Sequence, residues 1–252
     1  MNVTLYHGSN KIIEKPIYGA GNKRNDYGLG FYCTQDLNLA KEWAVGEGSD
    51  GYANKYELKL DGLSCLDLSS EEYNILHWIT ILLENRIFDL KYTVSKTGKD
   101  YLIENFSLPY EDYDLIKGYR ADDSYFSFAD AFLKNNISCQ RLSEVLRLGN
   151  LGEQIVVKSP KAFDSLNFIG TEVASSDIYY PIRKERNEKA RIAFLSDKEG
   201  AFNANALYLI DIIRNGVDKN DSRIQWLLFR FNSKKTWFNV WDCLFWSKIK
   251  CR

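Results

Sequence analysis

Histidine is nearly absent from this chain of 252 residues, which carries only His7 and His77. The cysteines are dispersed, odd in number and without any C-x-x-C pair: they are Cys33, Cys65, Cys139, Cys243 and Cys251. This spacing argues against a structural zinc site and a disulfide framework, and it favours a reducing compartment. Walker motifs, metal-ligand clusters and Ser-His-Asp arrangements are also missing from the sequence. A metal cofactor and a hydrolytic triad are therefore not expected.

Long apolar runs and a strong net charge are missing as well. The nearest apolar stretch, residues 73–83, is interrupted by Asn74, His77 and Thr80, and a membrane helix needs about 18 apolar residues. No charged segment followed by an apolar one opens the chain, so a signal peptide is not expected. The formal net charge of −1 provides no global field for DNA or anionic lipid, although a local groove can be basic. The expectation is a cytoplasmic protein without membrane contact.

The composition is that of a globular protein, with 45% hydrophobic, 14% aromatic and 27% charged residues. The length suits one large domain, or one domain with an appendage. Strand and helix patterns alternate through residues 1–172, which predicts an α+β domain. The pattern after Ser175 is helical and charged, so residues 173–252 are predicted to form a helical C-terminal appendage. Its last part, from about residue 226, is a tryptophan-rich tail that docks on the core, covers a partner or has neither role.

Alternating and 3.6-residue apolar spacings locate the elements. Strands are predicted at residues 3–6, 30–34, 52–60, 63–68, 113–119, 153–158 and 166–170. Helices are predicted from about Asp36 to Gly51, from a Ser69–Glu72 capping box onward, from Asp123, and from Ser138 to Gly149. His77 falls inside the second of these helices, where a half-buried structural role is the favoured interpretation.

Two short segments carry the functional signal. The first strand leads into His7-Gly8-Ser9, where a tight glycine turn is expected. About two dozen residues later, Gly28-Leu29-Gly30-Phe31-Tyr32 enters a strand, and the helix that follows carries Ala40 and Trp43. A glycine pair before a strand is weak evidence alone, because glycines often punctuate turns. The two segments in this order and spacing are more specific.

This pair of segments resembles the ADP-ribosyltransferase superfamily, in its diphtheria-toxin and poly(ADP-ribose) polymerase branch. Residues 1 to about 172 are also similar to an uncharacterised bacterial family within that superfamily. The resemblance implies a split mixed β-sheet that clasps NAD, the substrate, in a cleft. His7 would then hold a ribose hydroxyl, and Gly8, beside Ser9, would let the backbone reach the nicotinamide carboxamide. Tyr32 would stack on the nicotinamide ring and Trp43 would close its other side.

The superfamily usually supplies a glutamate on a late strand, which here reads Gly152 to Ser159. Breaking the nicotinamide–ribose bond creates positive charge at the anomeric carbon, and this glutamate stabilises that charge near the 2′-hydroxyl. Glu153 and Gln154 compete for the position, and strand alternation directs them to opposite faces. Gln154 is favoured, because the related bacterial sequences place glutamine there. A glutamine can hydrogen-bond the ribose but cannot accept a proton.

The resemblance therefore implies a mono-ADP-ribosyltransferase, a glycosyltransferase that releases nicotinamide and transfers ADP-ribose to a protein or nucleic acid. Two alternatives stay open: a non-catalytic module that binds NAD, a nucleotide or a protein, and an NAD glycohydrolase in which water replaces the acceptor. Asp123 reads as a helix N-cap, or Asp122 with Arg120 lines the acceptor side of the cleft.

Overall fold

The computed structural model describes residues 1–121, 123–148, 152–196 and 206–225, which form an α+β fold with two β-sheets. The strands are β1 (Asn2–Ser9), β2 (Phe31–Cys33), β3 (Gly51–Lys59), β4 (Cys65–Asp67), β5 (Leu115–Tyr119), β6 (Glu153–Val157) and β7 (Leu166–Ala174). The helices are α1 (Leu37–Ala44), α2 (Ile75–Asn85), α3 (Thr93–Phe106), α4 (Asp123–Leu133), α5 (Cys139–Leu148), α6 (Pro160–Asp164), α7 (Ser176–Ser196), α8 (Leu209–Arg214) and α9 (Ser222–Gln225).

The two sheets meet at the strands that carry the predicted site. The first sheet is antiparallel with the order β1-β3-β7, and the second is mixed with the order β2-β6-β5-β4. In the second sheet β4 and β5 are parallel, and the other neighbours are antiparallel. Two backbone hydrogen bonds between Tyr6 and Thr34, of 2.8 and 2.9 Å, join β1 to the residue that follows β2. His7 and Tyr32 therefore lie close to this junction.

Strand β1 is longer than predicted, and the predicted glycine turn is wrong. His7, Gly8 and Ser9 all pair with β3, opposite Asn54, Ala53 and Tyr52. Gly8 is required for packing, since a Cβ at Gly8 would lie 2.1 Å from the Ala40 carbonyl oxygen of α1. The glycine thus lets α1 approach the strand closely.

Two helix boundaries differ from the sequence prediction by several residues. Helix α1 is capped by Asp36 as expected but ends at Ala44, and Gly51 opens β3 instead. Helix α2 begins at Ile75 rather than near Ser69, because Asn74 accepts the N–H of Leu76 and His77 accepts the N–H of Asn74. His77 is buried, and its ring caps the helix through this hydrogen bond, which agrees with the structural role predicted for it.

Helix α3 was missed by the sequence analysis. Its buried positions are Ser95, Gly98, Leu102 and Phe106, and only two of these are apolar. Gly98 allows Leu209 of α8 to pack against the helix, since a Cβ there would lie 2.5 Å from a Leu209 methyl. The buried face of α3 carries Ser95 and Gly98 where apolar residues would be expected, and Gly98 is the position that Leu209 approaches. The sequence of α3 therefore lacks the apolar periodicity that would predict a helix.

The described residues after 172 pack on the rest of the fold. Five of them belong to the main hydrophobic core: Leu207, Leu209, Ile212, Val217 and Ile224. Helix α7 is joined to α1 by a bidentate ion pair from Arg186 to the buried Glu42, at 2.9 and 2.6 Å. The boundary at 172 stays a prediction. None of the described helices is both long and apolar enough to cross a membrane.

Asp122, Gly149 and the tryptophan-rich tail from residue 226 lie outside the described residues. Helix α4 begins at Asp123, as the sequence predicted. Helix α5 is described to Leu148. Each predicted strand is present in the described chain, with bounds that differ by a few residues.

Candidate functional site

A cleft of about 650 Å³ lies where β1, β2 and β6 approach helices α1 and α7. Five of the seven residues that the sequence analysis selected line it: His7, Gly8, Tyr32, Trp43 and Gln154. They come from four separate elements, and tertiary folding brings them together. The volume is within the range of small-molecule sites.

His7 has a defined tautomer. Its Nδ1 lies 2.7 Å from the Tyr32 carbonyl oxygen, which can only accept, so Nδ1 carries the proton. Burial lowers the pKa of His7 below its ordinary value, against the opposing effect of that hydrogen bond, so the ring is neutral. The ring stacks on Phe31 with centroids 4.2 Å apart. Nε2 of His7 is therefore a hydrogen-bond acceptor, the group that a ribose hydroxyl requires.

Tyr32 contributes its ring to the cleft while its hydroxyl is held elsewhere. The hydroxyl donates to the Gly28 carbonyl at 2.6 Å and accepts the N–H of Tyr27 at 3.1 Å. Gly28 has a φ of +71°, a conformation that favours glycine. The glycine-rich stretch thus folds back on Tyr32 and fixes its ring as a flat, half-buried surface.

Trp43 lines the cleft from helix α1. The Arg120 guanidinium sits over its indole ring, 4.5 Å from the centroid. Gly8 sets this position, since a Cβ at Gly8 would also lie 3.0 Å from the Trp43 Cβ. Ser9, the last residue of the predicted His7-Gly8-Ser9 motif, does not line the cleft. Its hydroxyl forms hydrogen bonds with the backbone of Lys11.

Glu153 and Gln154 point away from each other. Gln154 is buried and lines the cleft, where its Nε2 donates to the Tyr119 carbonyl and to Asp26 Oδ2, each at 3.1 Å. Glu153 instead forms an ion pair of 3.3 Å with Lys117 and is not part of the lining. The geometry brings Gln154 to the other candidate residues, and its catalytic role stays a prediction.

Asp26 is a cleft residue that the sequence analysis missed. Its side chain is only 7% exposed, and it accepts hydrogen bonds from the Arg86 guanidinium at 3.1 Å and the Ala121 N–H at 2.8 Å. Burial raises the pKa of Asp26, while these two donors and Gln154 oppose the rise. Its partners lie 60 to 128 residues away in the chain, so no local pattern marks it.

The cleft is surrounded by positive charge. Among the described residues, its lining contains five cationic side chains and one carboxylate, that of Asp26; the cationic residues are Lys11, Lys15, Arg86, Arg120 and Arg183. Arg183 belongs to α7 and is held by a 3.1 Å hydrogen bond to the Val45 carbonyl. Such a lining attracts an anionic ligand although the whole chain is nearly neutral.

The segment between β1 and β2 (residues 10–30) forms one wall of the cleft, and the buried Asn54 of β3 anchors it. Asn54 Oδ1 accepts the Ile13 N–H at 3.0 Å, and its Nδ2 donates to the carbonyls of His7 and Lys11 at 3.3 and 3.2 Å. The Tyr56 hydroxyl donates to the Ile13 carbonyl. The wall is thereby tied to the same strand pair that carries His7.

The protein therefore has an α+β fold and a cleft that is lined by lysine and arginine side chains and is large enough for a small molecule. A family model described as a protein of unknown function (DUF3990) matches residues 3–168, and the chain belongs to this family. No curated protein and no solved structure matches it. The match includes every candidate residue named from the sequence, whereas Arg183 and Asn187 of the lining lie beyond it. Within the described residues, no three His, Cys, Asp or Glu side chains are grouped to hold a metal ion.

Proposed function

We propose that this protein is an NAD-dependent mono-ADP-ribosyltransferase that releases nicotinamide and transfers ADP-ribose to a macromolecular acceptor, a protein or a nucleic acid. The observation that carries the proposal is the convergence of His7, Tyr32 and Gln154 on one cleft. These are the residues that the resemblance assigned to NAD, and they are more than twenty residues apart from one another in the sequence. Their convergence depends on the tertiary fold.

The groups in the cleft match the parts of NAD one by one. The neutral His7 ring offers an acceptor for a ribose hydroxyl, and the flat ring of Tyr32 suits the nicotinamide. The arginines and lysines of the lining suit the two phosphates. Trp43, already stacked with Arg120, suits the other face of a planar ring.

The proposal includes the finer fold assignment, a split mixed sheet of the ADP-ribosyltransferase type. Two features support it: the chain forms one antiparallel and one mixed sheet, and His7 and Tyr32 lie on the strands where those sheets meet. A ligand held at this junction would contact both sheets at once.

In the proposed reaction the bond between the anomeric carbon of the ribose and the nicotinamide nitrogen breaks, and nicotinamide leaves with the electron pair. The acceptor's nucleophile then forms a bond to the anomeric carbon and loses its proton to solvent. Gln154 would accept a hydrogen bond from the 2′-hydroxyl, and the cleft would hold the reactants in line.

A second candidate is a non-catalytic module that binds NAD or another nucleotide in the same cleft. The favouring observation is that residue 154 is a buried amide, only 2% exposed, with its nitrogen bonded to Asp26 and Tyr119. A neutral side chain in this position cannot offset positive charge at the anomeric carbon as a carboxylate does. An NAD glycohydrolase is the third possibility, with water as the acceptor.

One experiment separates the three. The purified protein is incubated with NAD that carries a radiolabel in its adenylate half, and free nicotinamide is measured together with label retained on a cell extract. Release with retention supports the transferase, and release without retention supports the glycohydrolase. NAD binding without release would refute the enzymatic proposal. Ser9→Ala changes a residue that neighbours the site but lies outside the lining, and it should behave as the wild type in this assay.

A further inference from the structure

The orientation of the Gln154 side-chain amide is fixed by its two neighbours. Nε2 donates to two oxygens, Asp26 Oδ2 and the Tyr119 carbonyl, each at 3.1 Å. The Tyr27 hydroxyl also lies against this amide, and it donates its own hydrogen to the Tyr119 carbonyl at 2.8 Å. A carbonyl cannot donate, and the Asp26 carboxyl accepts on both of its oxygens, from Arg86 and from the Ala121 N–H, so it also acts as an acceptor here. Rotating the amide by 180° would set Oε1 against the carboxylate and the carbonyl, and the Tyr27 hydroxyl already donates to that carbonyl, so the observed orientation is the one that satisfies these groups.

This orientation leaves the oxygen for the ligand. Among the described residues, none donates a hydrogen bond to Gln154 Oε1, and the side chain is part of the cleft lining. Oε1 can therefore accept a hydroxyl hydrogen, as a glutamate oxygen would. The Tyr119 carbonyl also accepts from the Tyr27 hydroxyl at 2.8 Å and the Trp78 indole at 3.3 Å. Because that carbonyl is shared among three donors, Asp26 is the stronger acceptor for Nε2.

Asp26 is itself held firmly in place. Oδ2 accepts the Ala121 N–H at 2.8 Å as well as Gln154, and Oδ1 accepts from Arg86 at 3.1 Å. The Arg86 side chain keeps 28% of its surface exposed, so it can turn towards solvent, whereas Asp26 is buried. The contact between Asp26 and Gln154 is therefore preorganised before any ligand enters.

We propose that Asp26 is a positioning residue, which holds the Gln154 amide with Nε2 inward so that Oε1 receives the ribose 2′-hydroxyl of NAD. The inference rests on the proposed function. It explains how a glutamine can occupy the position where the superfamily has a glutamate: the buried carboxylate beside it forces the amide to present only its acceptor atom. Asp26 acts through Gln154 and takes no part in bond making.

The test compares Asp26→Ala with Asp26→Asn. Alanine removes the acceptor for Nε2, and we expect kcat for nicotinamide release to fall about 10–100-fold, the scale for losing an outer-shell partner. Asparagine keeps one oxygen, which can still accept from Ala121 and Gln154, while Arg86 turns to solvent. We therefore expect Asp26→Asn to keep kcat within about threefold of the wild type, which is less than half a power of ten in rate. KM for NAD should change little in either variant. Asp100→Ala, at an exposed position on α3, is the matched control.

A second measurement is independent of catalysis. The side-chain amide protons of Gln154 are identified by NMR as the pair that disappears in Gln154→Glu. In the wild type and Asp26→Asn they should exchange slowly with solvent, because both are bonded and buried; in Asp26→Ala they should exchange faster. Equal kcat loss in both Asp26 variants, or unchanged exchange in Asp26→Ala, would overturn the positioning role. A wild type that releases no nicotinamide would refute the proposed function, and the amide measurement would still report on the Asp26–Gln154 contact.

Discussion

Replacing Gly8 with alanine tests whether the close approach of strand β1 and helix α1 shapes the cleft. The new Cβ would lie 2.1 Å from the Ala40 carbonyl oxygen and 2.9 Å from the Ala44 nitrogen. A carbon and a carbonyl oxygen pack at roughly 3.3 Å, so α1 must retreat by about 1 Å. Both obstructing atoms are backbone, so no side-chain rotation can relieve the contact.

The expected cost follows from this overpacking. Forcing an extra methyl group into a filled space destabilises a protein by about 1–3 kcal/mol, and the backbone obstruction places Gly8→Ala in the upper half of that range. For a chain of this size, 2–3 kcal/mol corresponds to a fall in Tm of roughly 4–12 °C. Trp43 moves with α1, so NAD binding should weaken as well.

Thermal melting and urea unfolding measure this effect directly. The matched control is Gly46→Ala, whose Cβ would have its nearest neighbour 3.7 Å away, an ordinary contact. Its φ is not positive, so it should differ from the wild type by less than about 0.5 kcal/mol. If Gly8→Ala were as stable as Gly46→Ala, the packing role of Gly8 would be refuted.

Three further predictions follow from the site and the core. His7→Ala and Tyr32→Ala should each weaken NAD binding by about 1–3 kcal/mol in calorimetry, with Ser9→Ala unchanged; wild-type affinity in both would contradict the cleft assignment. Burial lowers the pKa of His77 from 6.5 to about 4, so the unfolded chain gains its proton first as the pH falls. The contribution of His77 to the free energy of unfolding is therefore full above pH 6.5 and falls by about 3 kcal/mol down to pH 4. His77→Gln, which keeps the cap, should flatten that part of the urea-unfolding profile relative to the wild type. Truncation after Gln225 should leave a folded protein, whereas truncation after residue 172 should abolish folding, because it removes five buried core residues worth about 1.5–3 kcal/mol each; a cooperative melt of residues 1–172 would refute this.

Gln154→Glu is not expected to restore a fully ionised glutamate in the cleft. Restoring the glutamate of the superfamily pattern would set a second carboxylate about as close to Asp26 Oδ2 as Nε2 is now, 3.1 Å. Two carboxylates at this distance do not both ionise readily, so the pKa of one would rise. The wild-type glutamine is therefore matched to its buried neighbour.

Local sequence determined most of the strands and the cap of α1 at Asp36, and the family resemblance selected five of the residues that line the cleft. Alternating apolar residues in β1 and β3 reflect burial on one face, whereas the continuous apolar run of β6 reflects burial on both faces, and neither signal needs knowledge of the neighbours. His7, Tyr32 and Gln154 were selected because the resemblance to the superfamily assigns roles to those positions, and the strand patterns placed all three on strands. The alternation within β6 also separated Gln154 from Glu153 before their partners were known.

Only the tertiary structure determined the features that depend on residues distant in the chain. Asp26 is a buried, hydrogen-bonded residue of the cleft because Arg86, Ala121 and Gln154 donate to its carboxyl group. Gly8 reads as a turn residue in the sequence, yet the carbonyl of Ala40 makes it a packing residue inside a strand. Hydrogen bonds and steric contacts act across space, and a pattern read along the chain cannot contain the partner that lies more than thirty residues away.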